Sequence, residues 1–327
     1  MSAAALIAPD SFKGTLRAAE VADAVAAGLE EAGARAVRRP IGDGGEGTLD
    51  ALLEALPGAQ TRTATVDDPL GRPVEARFGL LADGGTAIVE MAEASGLHRV
   101  AAAECDAWAA STRGTGQLIA AAAAAGAEHV LVTVGGSATT DGGAGALAAL
   151  DEAGAAPRLT VLCDVTSPWA DAARVFAPQK GADDGTVRRL AQRLDALAAR
   201  APRDPRGVAM TGAAGGLAGG LWAFRGAELV PGAERVLDLL GFDALLAGAD
   251  VVVTGEGALD EQTFAGKAVG AVAARCRAAG VPCWAVVGAD RLGPGRARAL
   301  GLAGVLEATD SAALRAAGRR LAQARRR

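Results

Sequence analysis

The sequence predicts an α/β fold built on a doubly wound parallel sheet, and three observations predict it. Short apolar runs without polar alternation recur along the chain, Ala-rich helical stretches separate them, and glycine-rich loops follow them. Strands covered on both faces need no polar alternation, so such runs suit a parallel sheet with helices on either side.

The first run, Ala3 to Ala8, leads into a helix in which Val21, Val25 and Leu29 recur at i, i+4 and i+8. Thr15 is its expected cap and Gly33 its expected stop. The next segment, AVRRP, makes a poor buried strand, and LDALLEAL reads as a helix. Arg62 to Val66, Val74 to Leu81 and Thr86 to Met91 are then separated by the turn signals DDPLGRP and ADGG, which predicts an antiparallel meander. Alternation resumes with the runs His129 to Val134 and Thr160 to Val165. Asp171 to Leu245 is helical and Gly-rich, with a Pro/Arg-rich connection at Ala201 to Gly207, and the runs Asp250 to Thr254, Val281 to Val287 and Gly304 to Leu306 follow. The expected division gives residues 1–56, 93–150 and 248–327 to the parallel-sheet domain. Residues 57–92 and 151–247 form a second, inserted α/β domain containing the meander.

Composition narrows the function. With 327 residues, half of them apolar, the chain can bury a large core. A formal charge of −5 supplies no broad positive field for nucleic acid, and 3 % aromatics with no Tyr leave few stacking platforms. Cys105, Cys163, Cys276 and Cys283 lack Cys-x-x-Cys spacing and read as reduced thiols. The apolar stretch before Asp10 is too short for a signal peptide and no run is long enough to span a bilayer, so the chain reads as cytoplasmic, without a membrane partner. His98 and His129 are the only histidines, which leaves carboxylates as the expected proton carriers.

Only three lysines, Lys13, Lys180 and Lys267, stand among 33 basic residues, and each adjoins a glycine. A compact ammonium beside backbone that can approach closely suits a phosphate. After the first run, APDSFKGT brings Asp10, Ser11 and Lys13 to a helix start, an arrangement suited to a carboxylate or phosphate. IGDGGEGT carries Asp43 and Glu46 among glycines whose Gly-x-Gly-x-x-Gly spacing (Gly42, Gly44, Gly47) is weak evidence alone; the acids suit Mg²⁺ or hydroxyl contacts. The loop after HVLVTV is the most specific: Gly135, Gly136, Ser137, Thr139, Gly142 and Gly143 make a nest for nucleotide phosphates, with Asp141 as a metal ligand. Arg113 is either a carboxylate clamp or a surface cation. Downstream, Asp164 ends a run, Lys180 sits in FAPQKGA, and VVVTGEGALDEQTFAGKAVG collects Thr254, Glu256, Asp260, Gln262, Thr263 and Lys267. Walker A and protein-kinase signatures are missing from the sequence.

Taken together, IAPDSFKGTL, DGGEGT, GGSATTDGGAG, FAPQKGA, GAAGGL with AFRGAEL, and TGEGALDEQT with Gly266-Lys267 resemble the bacterial glycerate kinases of type 1 from Leu6 to about Gly288. The resemblance implies ATP-dependent phosphorylation of D-glycerate to 2- or 3-phosphoglycerate with Mg²⁺, a flavodoxin-like domain and a second domain of restriction-enzyme-like type. On that reading Ser11, Lys13, Arg113 and Asp10 hold glycerate, and the Gly135 to Gly145 loop with Lys267 holds the nucleotide. Asp141 and Glu46 bind the metal, Lys13 and Lys267 assist transfer, and Asp43, Asp164 or Asp260 accepts the hydroxyl proton. Two departures stand out: DEAGAAP replaces a longer Gly-rich excursion after Leu150, and TSPWADAARV replaces an Asn-Pro-Leu-x-Gly-Pro-like stretch. The chain leaves room for a homodimer. The rival readings are a nicotinamide-dependent oxidoreductase of small hydroxy acids and a non-catalytic sugar-acid-binding relative.

Overall fold

In the computed structural model, which describes residues 4–12, 14–264 and 267–324, the chain divides into two units, one within residues 1–43, 50–55 and 233–327 and the other of residues 44–49 and 56–232. Among the described residues the strands are β1 (Ala4–Pro9), β2 (Arg35–Arg38), β3 (Gln60–Asp67), β4 (Pro73–Leu80), β5 (Thr86–Glu90), β6 (His129–Thr133), β7 (Arg158–Cys163), β8 (Glu228–Pro231), β9 (Val251–Leu259), β10 (Cys283–Asp290) and β11 (Leu302–Glu307).

The first unit holds a parallel sheet in the order β11-β10-β9-β1-β2. Renumbered within the unit this is 2-1-3-4-5, the flavodoxin-like doubly wound order, as the resemblance implies. Its switch point lies between β1 and β9, which pair in register from Ala5 with Val251 to Pro9 with Gly255. All six residues of β1 are buried, which explains the unbroken apolar run. β2 is an edge strand with exposed arginines at both ends, so the first three residues of AVRRP lie in a strand, but not a buried one. The helices Ala18–Glu31 and Ser311–Ala324 meet through two glycines. A Cβ on Gly28 would fall on the carbonyl oxygen of Arg315, and one on Gly318 would lie 2.2 Å from that of Val25. The first helix begins at Ala18, where Glu20 accepts from the Arg17 N–H at 2.8 Å; the expected cap, Thr15, instead donates to the Phe12 carbonyl. Gly33 stops that helix at φ +79°, as expected.

The second unit contains a mixed sheet, β3-β4-β5-β6-β7-β8, in which β3, β4 and β5 are the antiparallel meander and the rest pair in parallel. Its turns are held by aspartates: Asp68 accepts from the N–H groups of Leu70 and Arg72, and Asp83 from those of Gly85 and Thr86. The sequence division had placed residues 93–150 with the first sheet. The strand there, β6, instead lies between β5 and β7, pairing Thr86 with His129 and His129 with Arg158. An apolar run buried on both faces has no feature that selects its neighbours; the preceding helix, Arg113–Ala124, packs on β3, β4 and β5. A short edge strand, β8, arises within the stretch expected to be helical. Among the described residues, no helix is long and apolar enough to cross a membrane.

Candidate active site

A cleft of about 410 Å³ opens in the first unit beyond the carboxyl ends of its strands, where open α/β sheets bind ligands. Every strand end contributes: Asp10 and Ser11 follow β1, Asp43 follows β2, Glu256 and Ala258 lie on β9, Gly288 and Ala289 on β10, and Thr309 follows β11. Two glycines keep the floor tight. A Cβ on Gly255 would lie 2.2 Å from the Val286 carbonyl oxygen, and one on Gly288 2.5 Å from that of Gly257. Phe12 is buried and forms a tight turn, its N–H bonding to Leu16 O and its carbonyl accepting from Thr15 N, which presents the preceding Asp10 and Ser11 to the cleft. The Asp10 carboxylate, itself buried, accepts from the Ser11 N–H at 2.6 Å.

The cleft is electrostatically crowded. Among the described residues, Asp10, Asp43, Glu256 and Asp260 line it together with one lysine, Lys267, at the N-cap of the helix Ala268–Ala279. The orphan N–H groups and dipole of that helix start favour an anion beside the ammonium. Glu256 is 6 % exposed. Burial pushes its carboxyl up to about 7, the charges of Asp260 and Asp43 push the same way, and the hydrogen bond from Thr263 and the charge of Lys267 oppose them. Thr263 Oγ1 donates to Glu256 Oε1 at 2.6 Å and accepts from the Asp260 N–H.

Of the residues singled out in the sequence, Asp10, Ser11, Asp43, Asp260 and Lys267 thus meet in one cleft. Lys13 lies outside the described residues. Glu256, one of the polar residues that the sequence collects after this run, carries one signal, an acid two positions past the predicted strand end, and lies in a strand that continues to Leu259. Thr309 carried no signal at all.

The second unit uses the remaining candidates differently. Asp141 is buried, and its oxygens accept from Thr112 N, Thr112 Oγ1, Gly143 N and Gly145 N at 2.8–3.1 Å. Four internal donors make it the organiser of its loop, in place of the expected magnesium ligand. Lys180 is buried too, donating to Ser137 Oγ at 2.8 Å and to the Thr139 carbonyl at 2.5 Å. Burial pushes its ammonium down to about 7 against the charges of Asp141 and Asp164. Thr139, Gly142 and Gly143 are buried, and a Cβ on Gly142 would meet Leu197, Leu194 and Trp169. These glycines serve close packing, so the expected phosphate nest shrinks to exposed Gly136 with half-buried Ser137 beside buried Gly135. Arg113 is not placed to clamp a substrate carboxylate: Glu152 takes both its terminal nitrogens, at 2.9 and 2.6 Å, and Asp67 takes Nε. Glu46 is exposed beside His98 at 3.5 Å, and an Asp164 oxygen packs near Gly135. The Gly42 to Gly47 turn is not a dinucleotide fingerprint either, because Gly44, at φ +89°, packs on the Leu162 carbonyl.

Asp141 and Glu46 therefore do not fit a magnesium ion as a pair, and among the described residues no three His, Cys, Asp or Glu side chains are arranged to hold a metal.

Comparison with known proteins agrees with the fold. The model of the glycerate kinase family matches residues 5–155 and 150–325, two segments that overlap at residues 150–155. The chain is 39 % identical over 322 residues to a glycerate kinase of Halalkalibacterium halodurans, covering 86 % of this chain and 84 % of that protein. It is 40 % identical over 301 residues to the glycerate 2-kinase of Escherichia coli K12, covering 80 % and 79 %. The crystal structure of a putative glycerate kinase 2 from Salmonella typhimurium LT2 superimposes with a TM-score of 0.85 at 35 % identity, covering 100 % of this chain and 99 % of that one. With these motifs, this strand order and a family match over nearly its whole length, the chain belongs to the glycerate kinase family.

Proposed function

We propose that this protein transfers the γ-phosphoryl group of ATP to the 2-hydroxyl of D-glycerate. The observation that carries the reading is the cleft at the switch point, where one lysine at a helix start faces a serine and a set of carboxylates. Phosphoryl transfer asks mainly for positioning and charge neutralisation, which such a set supplies. Ser11 is assigned to glycerate's carboxylate, with Lys13 assigned to the same task from its place in the sequence. Asp10 holds the Ser11 backbone and orients it. Lys267 neutralises the phosphate in flight, and one of the cleft carboxylates receives the hydroxyl proton. Magnesium arrives on the nucleotide, since an ion shared with phosphates needs few protein ligands. The choice of the 2-hydroxyl follows the glycerate 2-kinase relative.

The purified protein, given D-glycerate and Mg·ATP, is expected to form ADP. Coupling through enolase reports the 2-phosphate, and coupling through phosphoglycerate kinase reports the 3-phosphate. Glycerate-independent ADP formation, or none, would sink the reading. Ser11→Ala is expected to raise KM for glycerate about tenfold, the worth of one hydrogen bond to a charged group, with KM for ATP unchanged.

A further inference from the structure

We propose that Glu256 is the catalytic residue that takes the proton from the acceptor hydroxyl, and that Thr263 positions it. This rests on the kinase reading above and chooses among the cleft's acids. Glu256 sits on the rigid floor of the cleft, on β9 beside the switch point, whereas Asp10, Asp43 and Asp260 stand on the segments that follow strands. Its Oε1 is fixed by Thr263 Oγ1 at 2.6 Å. Thr263 is tied in turn to the Asp260 backbone, its N–H donating to Asp260 O at 3.0 Å and its hydroxyl accepting from Asp260 N at 3.2 Å. A base held this way loses little freedom when it meets the substrate.

The surrounding charges suit the task. Asp43 beyond β2 and Asp260 beyond β9 favour the protonated form, Lys267 favours the carboxylate, and Asp10 beyond β1 lines the same cleft. With burial as the largest influence the group titrates at about 7, near a working pH, where a general base is most effective. In the step itself, Glu256 accepts the hydroxyl hydrogen as the glycerate oxygen bonds to the γ-phosphorus. The bond from that phosphorus to the β,γ-bridging oxygen breaks, and ADP leaves with its electron pair. Glu256 then releases its proton to solvent.

The test is kcat against pH from 5 to 9 with glycerate and ATP saturating. Wild type is expected to lose activity about tenfold per unit below pH 7. Glu256→Gln should lower kcat 10²–10⁴-fold, abolish that acid limb and leave glycerate binding by calorimetry within about threefold. Thr263→Val, which removes a hydrogen bond to the carboxylate, should move the limb to higher pH; Thr263→Ser should restore it. Asp43→Asn and Asp260→Asn should keep a limb. A Glu256→Gln enzyme that retains the kcat and limb of wild type, or one that loses glycerate affinity instead of kcat, overturns the proposal. So does a limb that Thr263→Val leaves in place. A wild-type protein inert with glycerate refutes the kinase reading instead.

Discussion

Burying Glu256 has a stability cost that depends on pH. Its folded value, about 7, lies above the ordinary 4.5, so between these values the native state holds the proton more tightly than the unfolded chain does. Stability contributed by the protonated group is present below pH 4.5 and lost as pH rises through 7. Glu256→Gln has no charge to bury, so it is expected to be more stable than wild type at pH 8 by on the order of 2–3 kcal/mol, the gap closing toward pH 5. Urea unfolding at the two pH values measures it; a gap independent of pH would contradict the burial of that charge. Lys180 acts in another window. Its folded value of about 7 lies below 10.5, so the unfolded chain binds more protons between them, and stability rises with pH across that range. Lys180→Met should flatten this rise above pH 7, read by the same titration. In the sequence Lys180 is scarce and glycine-flanked, but scarcity does not distinguish an ammonium facing a ligand from one holding a loop, as Lys180 does through Ser137 and Thr139.

At the scale of elements, glycine gave the most ambiguous signal. The Gly135 to Gly145 loop has the composition of a phosphate nest, yet Gly142 is pressed against Trp169 and two leucines of its own unit. A residue without a Cβ permits close approach of any partner, and composition does not say whether that partner is a phosphate or a side chain. Gly28 and Gly318 show the same economy between helices, where each would drive a Cβ into the other helix's backbone. Ala has the better helix propensity, by about 0.5–1 kcal/mol, so exposed glycines here would be improved by it. Gly28→Ala is nevertheless expected to destabilise the protein by about 2–3 kcal/mol, because backbone on both sides must move. A thermal midpoint equal to or above that of wild type would refute this packing.

Each of the two units has its own buried core, around Ile7, Val21 and Leu314 in the first and around Val89, Val132 and Val161 in the second. Two calorimetric transitions are therefore expected. D-glycerate at a hundredfold excess over its Kd should raise only that of the cleft-bearing unit, by about 2.7 kcal/mol. A scan in which both move together would show a single cooperative block. The amino-acid sequence by itself determined the α/β class, the meander with its turn segments and the parallel strands, because periodicity and turn chemistry are local. Only the tertiary structure decided that β6 belongs between β5 and β7, that Asp141 and Arg113 are consumed by internal partners, and that Glu256 is buried beside Thr263. Strand neighbours, saturated hydrogen bonds and desolvation depend on groups distant in the chain, and no local pattern encodes which of them will meet.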